Sequence, residues 1–286
     1  MINFTKINIA LLLLITSMIG TELNAQALKV PANSSTQWVK QAFALSEISL
    51  EYSRPSVKGR VIYGDLVPFG KIWRTGANAS TKITFGEDVK IEGNLLKAGT
   101  YAIYTIPNKE SWEILFTKNL TLGGNVANYK QEEEVLRVKA KPTVLPLLVE
   151  TFTINFAEVR ANTLTIEFLW EKTRVALAVS ADIDATLVAN IDEALKADSR
   201  PYYQAASYYY ENNKDLVKAL DWVNKATEQN PKAFWVYALK AKIQLKLKDK
   251  KGALDTANKV VELAKESKND DFVKIGEQLA AEAKSK

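Results

Sequence analysis

The chain has 286 residues, of which 47% are hydrophobic and 25% charged, and its formal charge is +5. This length allows two ordinary domains with a core each, and the charge is too small for the focused basic surface of a nucleic-acid-binding protein. The sequence contains no cysteine and no histidine. These absences exclude disulfides, thiolate nucleophiles, Ser-His-Asp catalysis and any zinc site that needs Cys or His. Carboxylate, lysine or tyrosine chemistry and oxygen-ligated Ca²⁺ remain compatible with the composition.

Residues 1–25 have the organisation of a secretory signal peptide. Lys6 gives a positive start, Ile9 to Ile15 form an apolar core, and Ala25 is a small residue at the expected cleavage point. The apolar core is too short for a spanning helix, which needs roughly 20 residues. We therefore expect cleavage after about Ala25, no transmembrane segment afterwards, and a periplasmic or secreted protein. The alternative is an uncleaved membrane anchor.

Residues 26–39 are small and polar, and this composition predicts a loose N-terminal tail. From 40 to 180 the apolar residues alternate with period two, as in the stretches 48–52 and 164–170. Alternation of this kind places one set of side chains on a core face and the other in solvent. Turn residues separate about nine such short runs. The region is therefore predicted to be an all-β antiparallel sandwich.

From 184 to 286 the hydrophobic period changes to 3.6, which indicates helices. A shift of 34 residues superimposes two helical pairs, with Tyr203 on Tyr237, Ala219 on Ala253, Leu220 on Leu254 and Ala226 on Val260. This period resembles that of tetratricopeptide repeats. The second unit departs from the signature at Lys240 and Gln244, and a last helix from about Asp270 would cap the array. The fold class predicted for the whole chain is α+β multidomain, a β-sandwich followed by helical hairpins.

A long motif begins the β region. It runs from Ser53 to Arg60 and from Tyr63 to Asn78, and shorter motifs follow at Ala98–Tyr101, Ile106–Pro107, Asn128–Lys130 and Leu136–Val138. With these motifs the chain resembles the exported bacterial family called domain of unknown function 2911, over roughly residues 40–180. The resemblance implies a secreted or periplasmic β domain. It brings no established activity, substrate or catalytic residue.

The segment that contains Trp73, Arg74 and Asn78 is the best candidate for a ligand-binding site, together with Arg54. An indole face beside a guanidinium suits a sugar ring, a peptide or an anionic group. The alternative is structural. Trp73 would then close one end of the sandwich, Arg74 would pair with a buried carboxylate, and Arg54 would hold neighbouring loops together.

Two charged runs are weaker candidates. The three carboxylates of 132–134 would serve as acid and base, hold Ca²⁺, or lie in solvent, and their spacing matches no regular Ca²⁺ loop. The lysines between 240 and 251 would form either a solvated helix face or a contact with an acidic partner or anionic envelope surface. We expect no metal and no cofactor.

These observations favour a non-catalytic binding or scaffolding protein of the cell envelope. Its β domain would bind a small or glycan ligand, and its helical tail a protein or peptide. Two alternatives stay open: a carboxylate-based hydrolase that acts on envelope carbohydrate, and a structural accessory with no small ligand. A hydrolase would need two carboxylates that face one cleft, and the sequence identifies no such pair.

Overall fold

The computed structural model describes residues 30–196 and 200–285. The chain divides into two compact units, one that ends at Ala181 and one that begins at Asp182. The first contains ten described strands and the second six described α-helices, so the predicted antiparallel β fold followed by helices is confirmed. The predicted signal segment, 1–25, lies outside the described residues. Among the described helices, none has both the length and the apolar character needed to cross a membrane.

The ten strands form two antiparallel sheets that give a sandwich-like fold. Their bounds are β1 Ser35–Phe43, β2 Ser46–Arg54, β3 Thr81–Phe85, β4 Val89–Ile91, β5 Asn94–Leu96, β6 Gly99–Ile106, β7 Trp112–Thr117, β8 Glu134–Ala140, β9 Thr143–Ala157 and β10 Thr163–Ser180. The larger sheet has the order β1-β2-β3-β6-β7-β8, and the smaller has the order β5-β4-β10-β9. Two of the strands, β9 and β10, are much longer than the short runs predicted from the sequence.

The core between the two sheets is rich in aromatic side chains. Tyr52, Trp112, Phe152 and Trp170 are all at most 2% exposed. The alternating residues Ile48, Leu50 and Tyr52 all lie in this core, as their spacing predicts. Complete burial of one such side chain contributes about 1.5–3 kcal/mol relative to exposure.

The predicted loose tail, 26–39, is wrong at its C-terminal end, because β1 begins at Ser35. The strand pairs with β2 in continuous register from Ser35 opposite Arg54 to Phe43 opposite Ser46. Its inward positions include Gln37, whose Oε1 accepts a hydrogen bond from the Tyr52 hydroxyl at 2.8 Å. Its outward positions include the exposed Trp38. At positions 37 and 38 the polar residue therefore faces inward and the apolar one outward, which is why alternation did not reveal the first half of the strand.

The larger sheet also has a small apolar cluster on its outer face, meaning the face turned away from the smaller sheet. Ala102, Tyr104 and Leu115 are fully buried there. The segment 118–133, with two short 3₁₀ turns at Val126–Asn128 and Gln131–Glu133, packs over them through Leu120, Leu122, Val126 and Tyr129.

The second unit contains six α-helices. They are α1 Asp184–Ala194, α2 Tyr202–Glu211, α3 Leu216–Gln229, α4 Phe234–Lys246, α5 Lys250–Glu266 and α6 Asp270–Lys284. Small residues allow the helices to approach closely, and Ala219 and Ala253 are both 0% exposed. The side chains of Asp215, Asp249 and Asn269 accept hydrogen bonds from backbone N–H groups at the starts of α3, α5 and α6.

Gln244, which departs from the repeat signature, is 7% exposed and uses both ends of its amide. Its oxygen accepts a hydrogen bond from the Thr256 hydroxyl at 2.8 Å, and its nitrogen donates to Asp249 Oδ2 at 3.0 Å. Asp249 in turn caps α5 at the Gly252 N–H. A polar network, in place of the expected apolar contact, thus joins α4 to α5.

Candidate functional site

The segment between Trp73 and Thr81 is a fixed loop that lies against the larger sheet. Trp73 forms two backbone hydrogen bonds with Thr105 of β6, at 2.8 and 2.9 Å. The backbone then turns through positive φ angles at Thr75 (56°) and Gly76 (148°). A Cβ at Gly76 would lie 2.9 Å from the Ser53 carbonyl oxygen, so only glycine fits there. The Thr75 hydroxyl is buried and bonds to Thr105 Oγ1 at 3.1 Å.

Trp73 belongs to the aromatic core of the sandwich. Its ring stacks on Trp170 at 5.8 Å with an interplanar angle of 17°, and it meets Phe152 edge to face at 5.2 Å. Its indole N–H donates to the Gly76 carbonyl at 3.1 Å. Both the ring and the indole N–H of Trp73 therefore make contacts within the fold.

Arg54 and Asn78 likewise form hydrogen bonds within the fold. Arg54 donates to the Phe152 carbonyl at 3.0 Å and to Thr153 Oγ1 at 2.7 Å, which ties β2 to β9. Asn78 donates to the Ser34 carbonyl at 3.1 Å and lies 3.3 Å from Ser53 Oγ. The four residues predicted to form one site are thus not brought together around a common space.

Arg74 differs from these three residues. Its guanidinium lies beside Gly124, at which a Cβ would be 2.8 Å from Nη1. Its Nε is buried without a hydrogen-bond partner. Among the residues that the structure describes, no carboxylate lies within 4 Å of it. The predicted pairing with a buried carboxylate is therefore not present in this part of the chain.

Two buried hydroxyl groups that the sequence did not single out lie in the neighbourhood of Arg74, whose carbonyl accepts a hydrogen bond from the Thr81 N–H at 3.3 Å. Ser80 is 3% exposed, and its Oγ has no hydrogen-bond partner among the described residues. Tyr104 is fully buried and donates to the Gly123 carbonyl at 2.8 Å. Burial raises the pKa of Tyr104 above its usual value, and the nearby Ser80 hydroxyl and the charge of Arg74 partly offset this rise. We call Arg74, Ser80, Tyr104, Gly123 and Gly124 the Arg74 cluster.

The strand register explains why Ser80 and Tyr104 meet. Thr81 of β3 lies opposite Ile103 of β6, so the next position along each strand brings 80 beside 104. The long separation in sequence hides this neighbourhood, and a lone serine before a strand carries no signal of it. Only the pairing of β3 with β6 could have revealed the cluster.

The chemistry of the Arg74 cluster is that of anion recognition. A guanidinium offers five N–H donors in a planar fork that matches a carboxylate or a phosphate. The absence of a side chain at Gly124 leaves room for this fork. The cluster holds no carboxylate to act as a general base and no set of oxygen anions to hold a cation. Within the described residues, no group of three or more acidic side chains is placed to bind a metal ion.

The profile of a family described as "Protein of unknown function (DUF2911)" matches residues 34–179, which is half of the chain. The chain belongs to the DUF2911 family. No curated protein and no solved structure matches it. The DUF2911 region contains the complete Arg74 cluster, and all six described helices lie beyond it.

The acidic run of the DUF2911 region is used to hold its own segment in place. Arg137 donates to Glu134 at 2.6 and 2.9 Å and to Glu113 at 2.5 Å. Glu133 accepts a hydrogen bond from Asn119 at 2.8 Å. These contacts join β7, β8 and the segment that covers the outer cluster, so the carboxylates of 133 and 134 have a structural use.

A shallow cavity of ≈ 550 Å³ lies at the β6–β7 connection. Phe69, Lys109, Glu110 and Lys139 are among its lining residues. It contains none of the four predicted site residues and none of the Arg74 cluster. Its charges are mixed, and it carries no functional assignment.

Proposed function

We propose that this chain is an exported, non-catalytic binding protein whose DUF2911 domain recognises an anionic group of its ligand through Arg74. The observation that carries the proposal is the uncompensated guanidinium. A buried charged or polar group normally has a hydrogen-bond partner, because removal from water otherwise costs free energy. Arg74 is partly buried, its Nε is shielded from solvent, and the described residues give it neither a counter-ion nor a hydrogen-bond acceptor.

The expected ligand group is a carboxylate, a phosphate or a sulfate. Charge-assisted hydrogen bonds from arginine to such groups are short and directional, and each contributes roughly 1.5–3 kcal/mol. The hydrolase alternative has weaker support. Glu110 and Glu113 both line the shallow cavity at the β6–β7 connection, but Lys109 and Lys139 line it too and Glu113 is paired with Arg137.

The helical unit is proposed to contact a protein or peptide. Its support is the 34-residue period and the succession of helical hairpins, which resemble tetratricopeptide repeats. A groove of ≈ 440 Å³ runs between α2, α3 and α4, with Arg200, Tyr203 and Gln229 among its lining residues. Its polar side chains suit a hydrophilic peptide segment.

Export to the periplasm or the medium is proposed from the signal-like residues 1–25. Intact-mass analysis of protein from the envelope fraction or the culture medium should show loss of about 25 residues. Recovery of the full-length chain in detergent extracts alone would contradict export by cleavage.

The Arg74 assignment is tested by calorimetric titration of the protein with inorganic phosphate and with glucuronate. Wild type should bind at least one of them, and Arg74→Ala should lose that binding while its melting temperature changes little. Arg60→Ala is the matched control. Arg60 is an exposed arginine whose guanidinium donates, among the described residues, to the carbonyls of Ser56 and Val57. Equal affinity in Arg74→Ala and wild type would contradict the proposal. So would a large loss of stability in Arg74→Ala, which would reveal a structural partner.

A further inference from the structure

The outer face of the larger sheet carries an exposed tryptophan. Trp38 is 69% exposed, and no other residue of β1, β2, β3 and β6 is an exposed large hydrophobic. The register places it opposite Glu51, which in turn lies opposite Lys82. Neither Glu51 nor Lys82 forms an ion pair with a described residue. An indole, a carboxylate and an ammonium group thus lie side by side across three strands.

The neighbouring row on the same face is rich in hydroxyl groups. It runs across four strands through Lys40, Ser49, Thr84 and Thr100. The Oγ1 atoms of Thr84 and Thr100 are 2.9 Å apart. Together with Trp38, these residues border a depression of ≈ 170 Å³.

This combination fits a sugar ring better than a lipid surface. The C–H groups on one side of a pyranose pack on the electron-rich face of an indole, and its hydroxyl groups need hydrogen-bonding partners around that face. The depression offers both. A lipid surface would instead require several adjacent apolar side chains, and this part of the sheet exposes one.

The row on the other side of Trp38 ends, by register, at Ser80 and Tyr104 of the Arg74 cluster. Because Ser53, Ser80 and Tyr104 of this row are buried, a ligand on the outer face would meet the cluster at the partly exposed Arg74. Thr36 lies opposite Ser53, and the same register continues to positions 80 and 104. From strand spacings of about 4.8 Å and a rise of about 3.3 Å per residue, Trp38 and Ser80 lie about 12 Å apart. That span exceeds one sugar ring and is within reach of a short oligosaccharide.

We propose that the outer face of the larger sheet binds an acidic oligosaccharide. One sugar ring stacks on Trp38, and the oligosaccharide then passes Glu51 and Lys82 of the same row. The carboxylate of a uronic acid residue meets the guanidinium of Arg74. The inference rests on the proposed function, since it uses Arg74 as the anion site. It adds the class of ligand and a second contact point.

The test is calorimetric titration with uronic acid tetrasaccharides (oligogalacturonate, oligomannuronate and hyaluronan types) and with cellotetraose and maltotetraose as neutral chains. We expect at least one acidic tetrasaccharide to bind tenfold or more tightly than glucuronate, and the neutral chains to bind weakly or not at all. Trp38→Ala should weaken the tetrasaccharide at least tenfold and leave glucuronate binding unchanged. Trp235→Ala removes another exposed tryptophan, 40% exposed in the helical unit, and should alter neither.

The outcomes separate the two proposals. If glucuronate binds through Arg74 but no acidic tetrasaccharide binds more tightly, or if Trp38→Ala has no effect, the oligosaccharide proposal is overturned and the Arg74 site stands. If a tetrasaccharide binds through Trp38 and Arg74→Ala leaves its affinity unchanged, the assignment of Arg74 fails. Equal affinity for neutral and acidic tetrasaccharides would overturn the proposal that the ligand is acidic. Binding of phospholipid vesicles through Trp38 in place of any tetrasaccharide overturns the proposal.

Discussion

Trp73 and Arg74 are consecutive in the chain, yet their side chains lie on opposite faces of the larger sheet. The Trp73 ring stacks on Trp170 of the smaller sheet at 5.8 Å. The Arg74 guanidinium lies on the other side, beside Gly124 and near Tyr104. The hydrogen bonds between Trp73 and Thr105 give this segment the local geometry of a strand, in which neighbouring side chains point in opposite directions. The two residues therefore have separate consequences when substituted.

Replacement of Trp73 by alanine should destabilise the β unit. The loss of an aromatic ring from the packed space between the sheets should cost on the order of 3 kcal/mol. Urea unfolding followed by circular dichroism measures this change. Trp38→Ala is the control, because its exposed side chain should change stability by less than about 0.5 kcal/mol. Equal losses in the two variants would show that Trp73 does not belong to the core.

Gly124→Ala should weaken anion binding with little effect on stability. The added Cβ would lie 2.8 Å from Arg74 Nη1 and would displace the guanidinium. Because the displaced atoms are the end of a flexible side chain, the fold can adapt at small cost. Titration with inorganic phosphate or glucuronate and a thermal melt together check both statements. Unaltered affinity would contradict a role for the position of the Arg74 guanidinium in anion binding.

Gly252→Ala should destabilise the helical unit, although alanine is the better helix former. A Cβ at this position would overlap the Asp249 carboxylate and the Gln244 amide. The polar network of Gln244, Asp249 and Thr256 would have to shift, and such overpacking costs about 1–3 kcal/mol. Loss of helical circular dichroism on heating measures the effect. Lys251→Ala, one residue earlier at an exposed position, should be nearly neutral, and similar melting of the two variants would refute the prediction.

The stability of the β unit should fall at alkaline pH. Burial raises the pKa values of Tyr52, Tyr104 and Tyr129 above the ordinary value of 10.0. Above that pH the unfolded chain releases phenolic protons that the folded chain retains, so unfolding becomes more favourable as pH rises. Below it these groups bind equal numbers of protons in both states. Urea midpoints at about pH 8 and about pH 11, with phenolate absorbance as a probe, check the sign, and a Tyr104→Phe variant should show a smaller fall.

The β unit is predicted to fold without the helices. The change of hydrophobic period near 180–200 and the compact unit that ends at Ala181 both motivate this prediction. A fragment of residues 30–181 should give a β-type circular dichroism spectrum and a single cooperative melt. An unfolded fragment would show that the helical unit completes its core.

The sequence alone was sufficient for the order of the two units, for the alternating core residues Ile48, Leu50 and Tyr52, and for the family. These features follow from local periodicity and from long contiguous motifs, which need no knowledge of distant contacts. The first half of β1, residues 35–39, was predicted as a tail because Gln37 faces inward and Trp38 faces outward, which breaks the expected alternation there. Pairing with β2, not hydrophobicity, defines that strand.

The candidate site depended on tertiary structure, because residues from separate strands and loops compose it. The local pattern singled out Arg54, Trp73, Arg74 and Asn78 together, but it could not show that Trp73 and Arg74 face opposite sides of one sheet. Nor could it show that β3 and β6 bring Ser80 beside Tyr104, since the two are 24 positions apart in the chain. Which polar groups find partners is decided by strand register and loop packing. For that reason only the folded chain distinguishes the hydrogen-bonded Arg54 from the unpaired Arg74.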